Sequence, residues 1–173
     1  MNGYHISQKM MHWLSALFIL SLFALGVWMR TLDYYSGWYQ TAPELHKSFG
    51  IMLIGIMILR SYLRLKFHTP KPLNTHQAWE VKTAHVTHLA MYALIAIILV
   101  SGYLIGTADN RGIAVFDVFD VPPLFTAFEN QEDVAGFIHE WAAYCLMGLI
   151  ALHIAGALKH HLIDKDKTLK RML

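Results

Sequence analysis

Four long apolar runs, separated by stretches rich in charge and proline, set the plan of this chain. The first runs from Trp13 to Met29, interrupted only by Ser15, Ser21 and Gly26, which helices tolerate. The second covers roughly His46 to Leu63, the third Ala84 to Gly106, and the fourth Val134 to Leu158. A hydrocarbon core takes about 20 helical residues to cross. Each run therefore predicts one membrane span, at about residues 12–31, 46–65, 84–106 and 134–160. Pro70 and Pro72 break the chain after the second span, and Pro122 and Pro123 do so before the fourth. The expected fold is an all-α integral membrane bundle, a single domain over residues 1–173, with four helices running up and down through short connections. The first run is longer than a secretory h-region of about 7–15 residues and lacks a small-x-small cleavage site, so it reads as a retained helix.

Composition agrees and adds orientation. Charged residues make up 15% of the 173 positions, against about 25% in soluble domains. A net charge of +2 does not suggest nucleic acid as a partner, and Cys145 is the only cysteine, which excludes an intrachain disulfide. Lysine and arginine gather on one side: Lys9, then Arg60, Arg64, Lys66, Lys71 and Lys82, then Lys159, Lys165, Lys167, Lys170 and Arg171. Only Arg30, Lys47 and Arg111 fall on the other. By the positive-inside rule both termini are expected in the cytoplasm.

The chain holds 11 histidines, and ionisable side chains at membrane depth are rare, costly and usually functional. His5, His68 and His76 fall in the tail or a loop, where a solvated histidine is the simpler reading. On the fourth span, His139 and His153 stand 14 residues apart, about 40° around the helix and ~21 Å along it. They share a face at two depths. A haem held between helices takes one imidazole on either side of its iron, so each needs a partner at matched height on another helix. His46 opens the second span on the side where His139 lies, and His12 opens the first span at the depth of His153. His85 or His88 is an alternative partner for the inner site. Gly50, Gly136 and Gly156 lie close in sequence to these histidines and could let a flat macrocycle near the backbone. A different class of function, a histidine-lined path for metal ions, lacks the carboxylates such a path usually needs inside the spans.

His160 lies seven residues after His153 on the same face, and His85 and His88 open the third span at the same surface. A protonatable cluster of this kind suits a quinone, whose carbonyls need hydrogen-bond donors and whose redox change needs protons from water. Lys159, His160 and His161 could instead be an interfacial anchor for anionic lipid headgroups.

These residues together resemble the bacterial cytochrome b561 family along nearly the whole chain. The resemblance is carried by His12-Trp13, the stretch Glu44-Leu45-His46-Lys47-Ser48-Phe49-Gly50, Arg60 with Arg64, His85-x-x-His88 followed by Tyr92, and the single His139. It continues through His153, Lys159-His160-His161 and the tail from Asp164 to Met172. It implies a multi-pass inner-membrane cytochrome with two b-type haems on His12, His46, His139 and His153. It also implies electron exchange with ubiquinone or menaquinone near His88 and His160. Some members of the family are superoxide oxidases, which pass electrons from periplasmic superoxide to ubiquinone. The outer side of this chain argues otherwise: three bases there face Asp33, Glu44, Asp109, Asp117, Asp120, Glu129, Glu132, Asp133 and Glu140. That balance repels an anion and attracts a basic periplasmic electron donor or acceptor protein, unless Lys47, Arg30 and Arg111 form a local positive funnel. The longest connection, Thr107 to Asp133, carries Phe116, Phe119, Phe125 and Phe128 and is expected to cap the outer site, as a docking surface or as a lid at headgroup level.

Overall fold

The computed structural model describes residues 3–73, 75–124 and 129–173; Phe125 and Phe128 of the expected cap lie outside them. Four helices account for most of the chain: α1 (Ile6–Met29), α2 (Thr41–Lys66), α3 (Ala78–Gly106) and α4 (Gln131–Leu162). All four are long and apolar enough to cross a membrane. They form the all-α membrane bundle that the hydropathy pattern predicts.

Local chemistry extends the helices beyond the apolar runs. α1 starts at a capping box, with the His5 N–H donating to Gln8 Oε1 (3.1 Å) and the Ser7 N–H to His5 Nδ1 (3.3 Å). α3 starts the same way, the Gln77 N–H donating to Glu80 Oε2 at 2.9 Å. Each box satisfies amide donors that the first turn of a helix leaves without intrahelical partners. α3 thus begins six residues before the apolar run does.

The core is thin. Ile19, Leu22, Leu53, Met57, Ile95 and Leu146 are buried together at its centre. Large apolar side chains such as Leu17, Ile58, Val100 and Leu152 point outward and stay exposed. An outward apolar surface around helices whose backbone bonds are internal is what a bilayer accommodates. α1 packs chiefly on α2 and α3 on α4, with α2 and α3 joining the two pairs. Between the pairs, α4 faces α1 and α2 across a cleft.

One feature is absent from the all-α expectation. The connection after α3 contains a short antiparallel hairpin, β1 (Ile113–Val115) and β2 (Phe119–Val121), with Ile113 opposite Val121 and Val115 opposite Phe119. Phe116 and Asp117 turn it with φ of 51° and 57°, and the Val118 N–H closes the turn on the Val115 carbonyl at 3.0 Å. Two successive positive φ values match the right-handed twist of paired strands. Ile113 and Val115 are buried, and Ser48 of α2 fastens the hairpin, accepting the Phe116 N–H at 3.1 Å and donating to the Ala114 carbonyl at 3.4 Å. Three-residue strands carry too little periodic signal to be seen among the acids and aromatics of that loop.

At the other end of the bundle the two termini meet. The Tyr4 N–H reaches the Arg171 carbonyl at 3.4 Å, Lys9 donates to the Leu173 carbonyl at 2.7 Å, and Trp13 Nε1 donates to the Met172 carbonyl at 3.0 Å. The bundle thus has a terminal end and, opposite, a hairpin end.

Candidate functional site

Two pairs of histidine rings face each other across the cleft. At the hairpin end, His46 of α2 and His139 of α4 have ring centroids 6.1 Å apart at 72°. At the terminal end, His12 of α1 and His153 of α4 are 6.3 Å apart at 64°. With a metal–imidazole bond of about 2 Å on each side and each ring centre about 1 Å behind its nitrogen, two axial imidazoles stand about 6 Å apart. Both pairs have that spacing. His88 of α3 approaches His153 more closely, at 5.1 Å, which is short for a metal between them. His85 is exposed on α3.

The hairpin-end pair opens on a cavity of about 850 Å³, lined by Gly26, Gly50, Ile98, Gly102, Gly136 and Ala143 among others. That volume is within the usual range for cofactor and ligand sites. His139 Nδ1 lies 2.9 Å from the Ile98 carbonyl. A carbonyl only accepts, so Nδ1 carries the proton and Nε2 keeps its lone pair, the arrangement metal-ligating histidines use. His46 Nδ1 is buried without a hydrogen-bond partner. The donors, their spacing and the cavity fit a bis-histidine haem.

Glycines matter here, but not all those the sequence suggested. A Cβ at Gly26 would meet His46 Cε1 at 3.1 Å, and one at Gly102 would meet His139 Cε1 at 3.0 Å. These two glycines, on α1 and α3, make room for rings arriving from other helices. Gly50, Gly136 and Gly156 have nothing within 4 Å of such an atom, and Gly50 and Gly136 line the open cavity instead. Sequence proximity misses Gly26 and Gly102 because each serves a histidine far away along the chain.

The terminal-end pair differs in its surroundings. Arg60, counted with the surface bases, turns inward: it hydrogen-bonds Ser15 Oγ and places a guanidinium nitrogen 3.1 Å from His12 Nδ1. A guanidinium only donates, so Nδ1 accepts and a neutral His12 carries its proton on Nε2. To offer Nε2 to a metal, His12 would need its proton on Nδ1, and the Arg60 donor opposes that tautomer. Arg60 and Arg64 both lie over the Tyr92 ring, at 5.4 and 5.3 Å from its centroid.

His160 and His76 form a further group at this end, their ring centroids 4.5 Å apart. His76, placed in a solvated loop by its sequence position, has a side chain only 13% exposed, and its Nε2 lies 3.1 Å from Asp166. No local pattern marks this; the tail has to fold back before the contact exists. His161 Nδ1 is buried without a partner, and Lys159 pairs with Glu80 and with Asp164, the latter at 2.7 Å.

At the hairpin end, two of the three bases are already paired, Arg30 with Glu140 and Arg111 with Asp109 at 3.2 Å. Of that trio only Lys47 makes no ion pair among the described residues.

The sequence profile of the prokaryotic cytochrome b561 family matches residues 3–173. The chain belongs to that family. Among similar curated proteins, cytochrome b561 homolog 2 of Escherichia coli (strain K12) is 47% identical over 170 residues, covering 98% of this chain and 90% of that protein. Cytochrome b561 homolog 1 of the same organism is 28% identical over 173 residues, covering 100% and 98%. A protein of Yersinia pestis named probable superoxide oxidase CybB is 28% identical over 174 residues, covering 98% and 95%. The chain is thus a multi-pass bacterial inner-membrane protein of an electron-transfer cytochrome family whose members typically bind b-type haem.

Proposed function

We propose that this chain is a diheme cytochrome that carries electrons across the inner membrane, between a quinone at the terminal end and a redox protein at the hairpin end. One observation supports it above the others: α4 brings His139 and His153, at two depths, each to a bis-imidazole spacing from a histidine of another helix. On this reading His46 with His139, and His12 with His153, are the axial ligands. Haem, when bound, supplies reversible one-electron chemistry at iron, while the protein sets its ligation and burial. Ile98 and Ser101 hold the His139 ring, and Gly26 and Gly102 leave the rings their space. His88 and His160, with the exposed His85, are the candidate hydrogen-bonding partners of ubiquinone or menaquinone. The lysine and arginine bias of the terminal end supports a cytoplasmic location for it, so that quinone protons exchange with the cytoplasm.

The test is haem content. The purified protein should show b-type haem absorbance at two haems per chain, and His153→Ala or His46→Ala should each halve it. A colourless protein would overturn the reading in favour of the histidine-lined ion path. His160→Ala should slow exchange with a soluble quinone analogue and leave both haem spectra in place.

The name of the Yersinia pestis relative supports a second reading, oxidation of superoxide coupled to ubiquinone reduction. The charge at the cavity weighs against it by a small margin: of the four acids lining it, Asp109 and Glu140 are paired with Arg111 and Arg30, which leaves Glu132 and Asp133 against Lys47. An anion gains little from such a field, whereas a basic protein is steered toward it. Stopped-flow mixing of the oxidised protein with superoxide separates the two: slow, non-saturating reduction is expected, and fast saturating reduction would establish the oxidase.

A further inference from the structure

The tail beyond α4 folds back so that three donors from three segments converge. His76 comes from the α2–α3 connection, His160 from the end of α4, and Asp166 from the tail. Their side chains are 13%, 16% and 4% exposed, and their ligating atoms all lie within 4.8 Å of one another. One carboxylate oxygen, Asp166 Oδ2, is 3.1 Å from His76 Nε2 and 3.4 Å from His160 Nδ1. In a tetrahedral zinc site with bonds of about 2.0–2.1 Å, neighbouring donor atoms stand about 3.3 Å apart. These two separations bracket that value, and the third, between the imidazoles, is within 4.8 Å.

A second observation concerns His160 itself. Its Nδ1 is buried and makes no hydrogen bond of normal geometry, although oxygens of Asp164 and Asp166 lie 2.8 and 3.4 Å away. The oxygens are near the nitrogen but off its N–H axis, so neither takes up the bond it can make. Lys159 pairs with Glu80 and Asp164, and Asp166 adds a further carboxylate beside the two imidazoles. The Thr168 N–H donates to the other Asp166 oxygen at 2.7 Å and orients the carboxylate.

We propose that His76, His160 and Asp166 form a binding site for a borderline divalent transition-metal ion of the zinc class. Two imidazoles and one carboxylate are three of the four ligands such an ion takes, with water in the fourth position. The ion would staple the α2–α3 connection and the C-terminal tail to α4. On the quinone reading above, it would also withdraw His160 from the quinone pocket; that consequence depends on the reading, whereas metal binding does not.

Equilibrium dialysis of the full-length, haem-loaded protein against Zn²⁺ tests the site directly. One saturable zinc per chain is expected, weakened at least tenfold by His76→Ala and by Asp166→Asn and unchanged by His68→Ala on the exposed connection. Zinc should also slow tryptic cleavage after Lys165 and Lys167 in the parent protein and not in His76→Ala. Unchanged affinity in both cluster variants, or no saturable zinc in the parent, overturns the proposal. Should either variant lose its fold, X-ray absorption of zinc bound to the parent protein still decides: two imidazole ligands are expected, and a shell with fewer refutes the site. Slowed quinone exchange in the zinc-loaded protein would bear only on the shared use of His160.

Discussion

Gly102 and Gly26 show how narrowly the histidine rings are seated. A methyl at Gly102 sits 3.0 Å from His139 Cε1, closer than carbon atoms normally approach, and His139 is tethered to Ile98 and Ser101 on the same helix as the glycine. The ring cannot retreat without breaking that tether. Gly102→Ala should therefore cost about 1–3 kcal/mol, as overpacking in a tight core does, and, on the proposed diheme reading, shift or diminish the absorbance of the haem at the hairpin end alone. Gly55→Ala, where nothing lies within 4 Å, should leave both haems unchanged. Absorbance difference spectra and thermal unfolding of the two variants provide the check. Arg60 is the other residue whose role is set by contact: its guanidinium holds His12 Nδ1 and Ser15, so a positive charge stands directly against the terminal-end pair.

Ser48 binds the hairpin with a single buried hydroxyl that accepts one hydrogen bond and donates another. Ser48→Ala leaves the Phe116 N–H without its partner, at a cost of about 1–3 kcal/mol. Faster hydrogen exchange over residues 113–121 is the expected result, with exchange in the α3–α4 core unchanged. In α4 spacing alone brings His139 and His153 to the same cleft, because a continuous helix fixes the angle between two of its residues. On the other helices His46 stands beside His139 and His12 beside His153. The rival His88 is also in contact with His153, since α3 packs directly on α4, a closeness that height alone does not resolve.

For the whole molecule, the testable claim is its direction in the membrane. A reporter fused at the C-terminus should be active only in its cytoplasmic form, and one inserted after Ser36, between α1 and α2, only in its periplasmic form. The opposite pattern would reverse the sides assigned to quinone and redox partner. Both termini share one end through Tyr4, Lys9 and Trp13, so the two reporters must disagree whichever way the bundle faces. The acidic cavity mouth adds a second expectation at this scale: reduction by a basic electron-donor protein should slow as salt rises, because screening removes the steering.

Sequence by itself determined the membrane class, the four helices and the pair of histidines on one face of the fourth, since all three follow from length, hydropathy and a fixed helical period. Family membership was legible for the same reason, in motifs spread along the chain at readable spacing. Tertiary structure alone decided which glycines yield to which rings, that Arg60 turns inward onto His12, that a hairpin packs on α2 beside the cavity, and that His76 meets His160 and Asp166. Each of these depends on segments far apart in sequence coming within a few ångströms, and no local period encodes such an approach. The physical reason is the same throughout: hydrophobic pattern specifies what an element buries, whereas side-chain contact depends on how the elements settle against one another.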